Sequence, residues 1–435
     1  MHFKNFYRSA YLDIKELRKI EIGEQLFNFG ILFLPWAVPI GLFFLLVSLL
    51  ISISKNYREL IKDKSNYLIF IVSFLMIFNS IKQNIYLSKS IDFDFDSGIY
   101  LGLFNWIPLF LAFLCFKYYL RSSLQRATFA RNLIMGSIPV LISCIGQKWF
   151  GWESPIVIFK GLITWFQKPL LPESGVSGLF SNPNYTGFWL VSIWPFSLYF
   201  LTKFRGKFLK IFSFLLVITI FYLTILSGSR NAFLGIIIST LLLLKVKLLI
   251  LFITIFLFMI FLNHISTSIS NESVSLLDQI IPKQLLSKIR INLNLDLLQY
   301  QRIEIWNKTV QFIAKKPFLG WGASTFPIVY IFFQGLSDAQ HSHNIFLQLA
   351  YDYGLLVSIF IAIIIYNLFS SSIKYFLEIN KSMNSIDTFW IVSALIAVLF
   401  HQLDFPYYDI RISMLFWILL SGLKGINEYK KIKIR

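Results

Sequence analysis

Charge is what this chain has least of. Only 14% of its 435 residues are Asp, Glu, Lys or Arg, while 56% are hydrophobic. That balance excludes ordinary soluble domains and disordered tails, because long apolar runs recur along the whole length. Acids are scarcer than bases, 22 against 40, for a formal net charge of +18. In a soluble protein such an excess would suggest nucleic acid. Here it reads as the positive-inside signature of a membrane protein, so no nucleic acid is expected as a partner. Only two cysteines occur. Cys115 and Cys144 both fall inside apolar runs, which points away from a disulfide or a metal site. There is also no phosphate-binding glycine loop and no zinc or calcium pattern, so neither a metal nor another cofactor is expected. Short alternating segments of the β-barrel kind are missing as well.

What is present is a series of apolar runs, near residues 66–82, 98–117, 132–146, 184–202, 208–226, 231–244, 246–263, 344–369, 387–404 and 409–423. They predict an all-α, polytopic transmembrane helical bundle. Alternating ten spans puts every basic cluster on one face, which must be cytoplasmic. Those clusters are Arg121, Arg126 and Arg131; Lys203, Arg205, Lys207 and Lys210; Lys245 and Lys247; Lys374; and the tail of residues 424–435. The acidic turn Asp92, Asp94, Asp96, the segment 147–183 and the long loop 264–343 then fall on the opposite, external face. The run 28–54 contains Pro35 and Pro39, which suggest a hairpin, and the total is eleven or twelve spans. Residues 1–27 mix Lys4, Arg8, Lys15, Arg18 and Lys19 with acids, so no cleavable signal peptide is evident. Tyr7, Tyr11, Ile14 and Leu17 recur there at helical spacing, as in an amphipathic helix on the membrane surface. The domain reading is therefore a cytoplasmic segment 1–27, helices over 28–263, a loop 264–343 carrying part of a site, helices over 344–423, and a basic tail.

Four polar clusters gather on the external face. In "SGLFSNPNYTG", residues 177–187, Asn182-Pro183-Asn184 is turn chemistry able to cap a helix or bind a ligand. "SGSRNAF", residues 227–233, sets Arg230 at a membrane boundary, where a lone arginine also simply snorkels to headgroups. "YQRIEIWNKTVQFIAKKPFLGWG", residues 300–322, predicts an interfacial helix with Arg302 in its first turn. Its apolar face would be Ile303, Trp306, Val310 and Ile313, Glu304 would pair with Lys308, and Pro317 would end it before a flexible exit at Gly320 and Gly322. In "HSHNIFLQLAYDYGLL", beginning at residue 341, Ser342 is a candidate N-cap. His343 would then stand in the first helical turn, whose positive end disfavours imidazolium and suits a general base. A metal reading through Asp338, His341 and His343 lacks a supporting second ligand group. Asp352, about 13 Å further along a continuous helix, must be paired, hydrated or neutral. Arginine forks fit phosphate oxygens. An enzyme working outside the cytoplasm has no ATP, so its donor must arrive activated, as a polyprenyl diphosphate sugar does.

Taken in order, "GLFSNPNYTG", "SGSRNAFLG", "RIEIWNKTV…KKPFLGWG" and "HSHNIFLQLAYDYGLL" resemble the O-antigen ligase and O-antigen polymerase superfamily over roughly residues 175–410. The family's His-Asn, nine residues, then Gly is matched by His343, Asn344 and Gly354, with Val357 where a glycine or small polar residue is common. "HQLDFPYYDIR", residues 401–411, resembles the family's last external turn. The resemblance implies a GT-C-like, metal-independent, inverting glycosyltransferase of the bacterial inner membrane. Its donor would be an undecaprenyl diphosphate-linked glycan, and its acceptor lipid A–core or a growing glycan. It implies that Arg230 and Arg302 hold the diphosphate and that His343 takes the acceptor proton; Asn182, Asn184, Trp306 and Asn344 are weaker candidates for shaping the site. Ligase and polymerase share that donor and site. A transporter using Asp352, His401 and Asp404 as an ion path is the alternative from another class, though no inverted repeat is visible.

Overall fold

The structure is a computed structural model that describes residues 21–87, 96–171, 174–243, 296–333, 339–379 and 385–434. Its helices are α1 Ile22–Phe33, α2 Val38–Lys62, α3 Tyr67–Leu87, α4 Asp96–Phe104, α5 Ile107–Phe116, α6 Ser123–Trp149, α7 Pro183–Lys203, α8 Lys207–Ser227 and α9 Arg230–Leu243. There follow α10 Asp296–Lys315, α11 Phe326–Phe332, α12 Ile345–Tyr353, α13 Leu355–Ile379, α14 Ile386–Leu403 and α15 Ile410–Ile434. The expected all-α, polytopic helical architecture is what is found. Among the described residues eight helical spans are long and apolar enough to cross a membrane: α2, α3, the α4–α5 pair, α6, α8, α13, α14 and α15. The expected span 246–263, most of the segment 1–27, and residues 264–295 of the long loop lie outside the described residues, as do Asp92, Asp94 and Asp338.

Helix α7 is not among the eight, for a physical reason. Ser192, Trp194, Pro195, Ser197 and Tyr199 lower its hydropathy, yet all are buried by the helices around it. It is the centre of the bundle, where lipid does not set the composition. The N-terminal hairpin forms as Pro35 and Pro39 suggest, with α1 packed along α2. Its first arm has only twelve residues, too few to span the hydrocarbon core alone. An unexpected β-hairpin joins α6 to α7, with Ser154–Ile158 antiparallel to Ile163–Gln167. Cys115 and Cys144 are free and buried.

The two ends of the bundle differ in how they handle charge. At one end Arg126, fully buried, meets Asp387 at 2.7 Å. Nearby, Lys117 sits between Glu428 at 2.8 Å and Asp63 at 3.3 Å, and Lys424 joins the same Asp63. These pairs tie α2, α5, α6, α14 and α15 together at the end where Arg121, Arg126 and Lys424 lie. A buried charge left without its partner is costly, so the pairs fix helix register.

The run 344–369 is not one helix. It breaks at Gly354 into α12 and α13, which places Asp352 in a short helix instead of deep in a continuous span. Gly354 has φ +92° and ψ 158°, a region essentially restricted to glycine, and a Cβ there would meet the Phe318 carbonyl at 2.1 Å. Gly320 and Gly322, expected to be a flexible exit, are instead pinned. The Trp321 and Gly322 amides donate to the Tyr351 and Asp352 carbonyls at 2.7 and 3.1 Å, and Leu355 N donates to Pro317 O at 2.7 Å. From α3, Asn79 donates to the carbonyls of Phe318 and Tyr353, and Gln83 to those of Leu319 and Asp352. Val357, where the family commonly has a small residue, is buried in the adjoining core.

Gly354→Ala should therefore destabilise the protein by about 1–3 kcal/mol from backbone strain alone, more with the clash. Gly206→Ala, whose added methyl meets nothing within 4 Å, is the control. Thermal melting in detergent measures both, and equal melting temperatures would contradict the account of the break.

Candidate active site

The first two motifs dock through a glycine. A Cβ at Gly187 would lie 2.7 Å from the Ser229 and 2.9 Å from the Ala232 Cβ atoms, so only glycine lets α7 and α9 approach this closely. The Val176 amide also donates to Leu226 O at 3.1 Å. Arg230 is thereby held as the first residue of α9, exposed, at the same end of the bundle as the start of α7. Asn182 is the N-cap of α7, and its Oδ1 accepts from Asn184 N at 2.8 Å. That contact gives Asn182 a capping role and engages Asn184 only through its backbone.

Helix α10 begins at Asp296, so Arg302 lies in its second turn, not its first. The expected apolar face is also rotated. Ile305, Thr309, Phe312 and Ile313 are buried, whereas Ile303 and Val310 are exposed. The reason is tertiary: Ile305 and Phe312 pack with Phe326, Tyr330, Ala350 and Tyr351 in a second core shared by α10, α11 and α12. This rotation aims the Trp306 indole at the histidine loop, where Nε1 donates to Ser342 O at 3.0 Å.

The loop itself is held on both sides. Ser342 N donates to Gln348 Oε1 at 2.8 Å, and Gln348 Nε2 donates to Asp352 Oδ1 at 3.0 Å. The buried acid thus fixes the orientation of the amide that fixes the loop. Ser342 is not the N-cap. Asn344 is, with Oδ1 accepting from Phe346 N and Leu347 N at 2.9 and 3.1 Å, while Nδ2 donates to Gln402 O at 3.1 Å. The Ser342 hydroxyl turns instead to Asn344 O. His343 accordingly precedes the cap instead of standing in the first turn. It adopts φ +54°, a conformation unusual for a side-chain-bearing residue and of the kind that clusters at functional sites.

His343 Nδ1 lies 3.1 Å from Asp404 Oδ1, and the imidazole is 28% exposed while the carboxylate is 5% exposed. With Nδ1–H donating to Asp404, Nε2 keeps its lone pair free to accept a proton. Burial opposes ionisation of Asp404, but the hydrogen bond and charge of His343, the charge of Arg302 and the Phe405 N–H together hold its pKa below the usual carboxylate value. His341 packs against His343 with ring centroids 4.3 Å apart. Burial, then the charges of His343 and Arg302, push its pKa down to about 4 against the pull of Asp404. The charges of Arg302 and Arg230 also oppose one another. Arg230, Arg302, His341, His343 and Asp404 therefore share one neighbourhood.

Asp404 is the residue that the sequence reading missed as a partner of His343, placing it in an ion path instead. The signal was available in "HQLDFPYYDIR", which follows α14 into the turn facing the histidine loop. Asp352, through Gln348, and Asp404, through His343, each reach the histidine loop.

Arginines, a strained histidine and a paired carboxylate at one end of a multi-span helical bundle are groups chemically able to bind an anion and to accept a proton. Residues 190–362 match the model of a family described as O-antigen ligase, which supports the O-antigen ligase/polymerase superfamily for this chain and a membrane enzyme of that type. Comparison with curated proteins gives no match.

The lowered pKa of His341 makes a pH prediction. The unfolded chain takes up this proton near the ordinary value of 6.5 and the folded protein near 4, so the neutral imidazole stabilises the fold at neutral pH. That contribution is lost as pH falls from about 6.5 towards 4. The melting temperature of the purified protein should drop over that window, and His341→Asn should flatten the drop. An unchanged slope in the variant would refute the burial argument.

Proposed function

We propose that this protein transfers a glycan from an undecaprenyl diphosphate-linked donor to a hydroxyl of lipid A–core or of a growing polysaccharide. It would act at the periplasmic face of the bacterial inner membrane, inverting the anomeric centre and requiring no metal. The observation that carries the reading is His343 hydrogen-bonded to Asp404 beside Arg302. The acceptor O–H would give its proton to His343 Nε2 as its oxygen attacks the anomeric carbon. The bond from that carbon to the diphosphate oxygen breaks, and the diphosphate leaves with the electron pair. Arg230 and Arg302 meet the charge that develops there, and Asp404 offsets the imidazolium. The mutual repulsion of the two guanidiniums in the free protein is relieved when an anion binds between them, which favours a diphosphate over a neutral ligand. Trp306 and Asn344 serve as positioning residues, one through Ser342 O and the other through Gln402. The basic, ion-paired end of the bundle suits the cytoplasm by the positive-inside rule, and the site is at the other end.

In proteoliposomes with lipid-linked donor, His343→Ala should cut transfer by about 10²–10⁴-fold while donor binding persists. Asp404→Asn, which keeps the shape but not the charge, should lose most of the same factor. Arg230→Lys and Arg302→Lys should not restore activity to the alanine variants, since an ammonium lacks the fork. EDTA should change nothing. A near-wild-type His343→Ala enzyme or EDTA inhibition would overturn the base assignment.

Orientation is separately testable. A membrane-impermeant thiol reagent applied to intact spheroplasts should label Ser181→Cys and spare Lys207→Cys. The reverse pattern would put the site in the cytoplasm.

A further inference from the structure

A cavity of about 270 Å³ lies beside this site and takes no part in the chemistry above. Its walls come from the α1–α2 turn, the β-hairpin and the start of α15, with Trp36, Trp165, Phe166, Ser181, Asp409 and Arg411 among its lining residues. The hairpin is fastened in place. Trp165 Nε1 donates to Trp36 O at 2.7 Å, and Gln167 Nε2 donates to Ser143 O at 2.8 Å on α6. At its base, Gln147 of α6 donates to Lys168 O and accepts from the Ser177 and Gly178 amides. The floor is equally fixed. Arg411 Nε donates to Asp409 Oδ1 at 2.8 Å and Nη1 to Leu179 O at 2.9 Å, with the guanidinium 3.8 Å from the Phe180 ring centroid.

Four features narrow the ligand. The aromatic walls offer flat apolar faces, on which the C–H face of a pyranose ring stacks. Asp409, Arg411 and Ser181 supply acceptors and donors for the hydroxyls at its edge. Arg411 is the one cation among the described lining residues and is neutralised by Asp409, so the cavity favours a neutral ligand over a phosphate. Its volume is just below the ~300–1,000 Å³ of pockets that take drug-sized molecules, which suits one ring more than a chain. The cavity is also continuous with the active site along the chain. Asp404 and Asp409 both act electrostatically on Tyr185, and Tyr408, beside Asp409, contacts Phe405 and His341.

We propose that this cavity is a subsite for one neutral sugar ring of the glycan being joined, selecting substrate next to the reacting centre. The identity of the ligand as part of a substrate rests on the glycan-transfer reading; the binding of a sugar does not. The test is saturation-transfer NMR on the full chain in nanodiscs, with methyl glycosides of glucose, galactose, mannose and N-acetylglucosamine as probes. At least one should receive saturation, and Phe166→Ala and the cavity-filling Ser181→Trp should each weaken it by tenfold or more. Both residues are exposed, so neither change threatens the fold. His343→Ala should leave glycoside binding unchanged, which separates this site from the catalytic one. In the transfer assay the two cavity variants should raise KM with little change in kcat. A rise for the donor assigns the ring to the donor glycan, and a rise for the acceptor assigns it to the acceptor. Absence of saturation for all four probes, or binding that survives both cavity variants, overturns the proposal. Glycoside binding without any glycan transfer would uphold the sugar site and sink the enzyme reading.

Discussion

A helix cannot break near the hydrocarbon region unless the carbonyls it releases find new donors. That constraint at Gly354 organises much of the site. The carbonyls of Tyr351, Asp352 and Tyr353 have no following helical turn to bond them. Amides from residues 321–322 and the side chains of Asn79 and Gln83 bond them instead. The partners arrive only because Pro317 ends α10 and the next five residues run back along α12. One local need for hydrogen bonds thus draws α10 against α12. With it come Arg302 and Trp306, which belong to a distant part of the sequence, to the edge of the histidine loop.

Charge is divided between the two ends to different purposes. Where Arg126, Lys117 and Lys424 are buried, carboxylates neutralise them and the result is rigidity. Around Arg230 and Arg302 the two positive charges act on one another, and Arg302 also acts on Asp404 and His341. Burial and that positive charge together depress the pKa of His341, whereas the charge and the His343 hydrogen bond keep Asp404 ionised against its burial.

His343 shows how such a site is kept in a strained form. Its positive φ is unfavourable by about 1–3 kcal/mol. It persists because Trp306 and Gln348 hold the residue before it, and Asn344 caps the helix after it. Asp352 acts at one remove, by orienting Gln348. A buried acid that the sequence allows to be read as part of an ion path is here hydrogen-bonded to the amide that holds the loop.

The apolar runs, the basic clusters and the prolines near residue 35 determined the all-α bundle and its breaks near the N-terminus, because burial and proline geometry act locally. The motifs also named Arg230, Arg302 and His343, since each carries chemistry that its apolar neighbours do not. Sequence could not set the rotation of α10, where Ile305 and Phe312 win the buried face over Ile303 and Val310. That choice depends on which neighbour packs there. Nor could it choose between Ser342 and Asn344 as the cap, because both are competent and the decision falls to Gln402 and Gln348. The pairing of His343 with Asp404 joins residues 61 apart in the chain. Only the folding of α14 back to the histidine loop brings that carboxylate within hydrogen-bond reach of the imidazole.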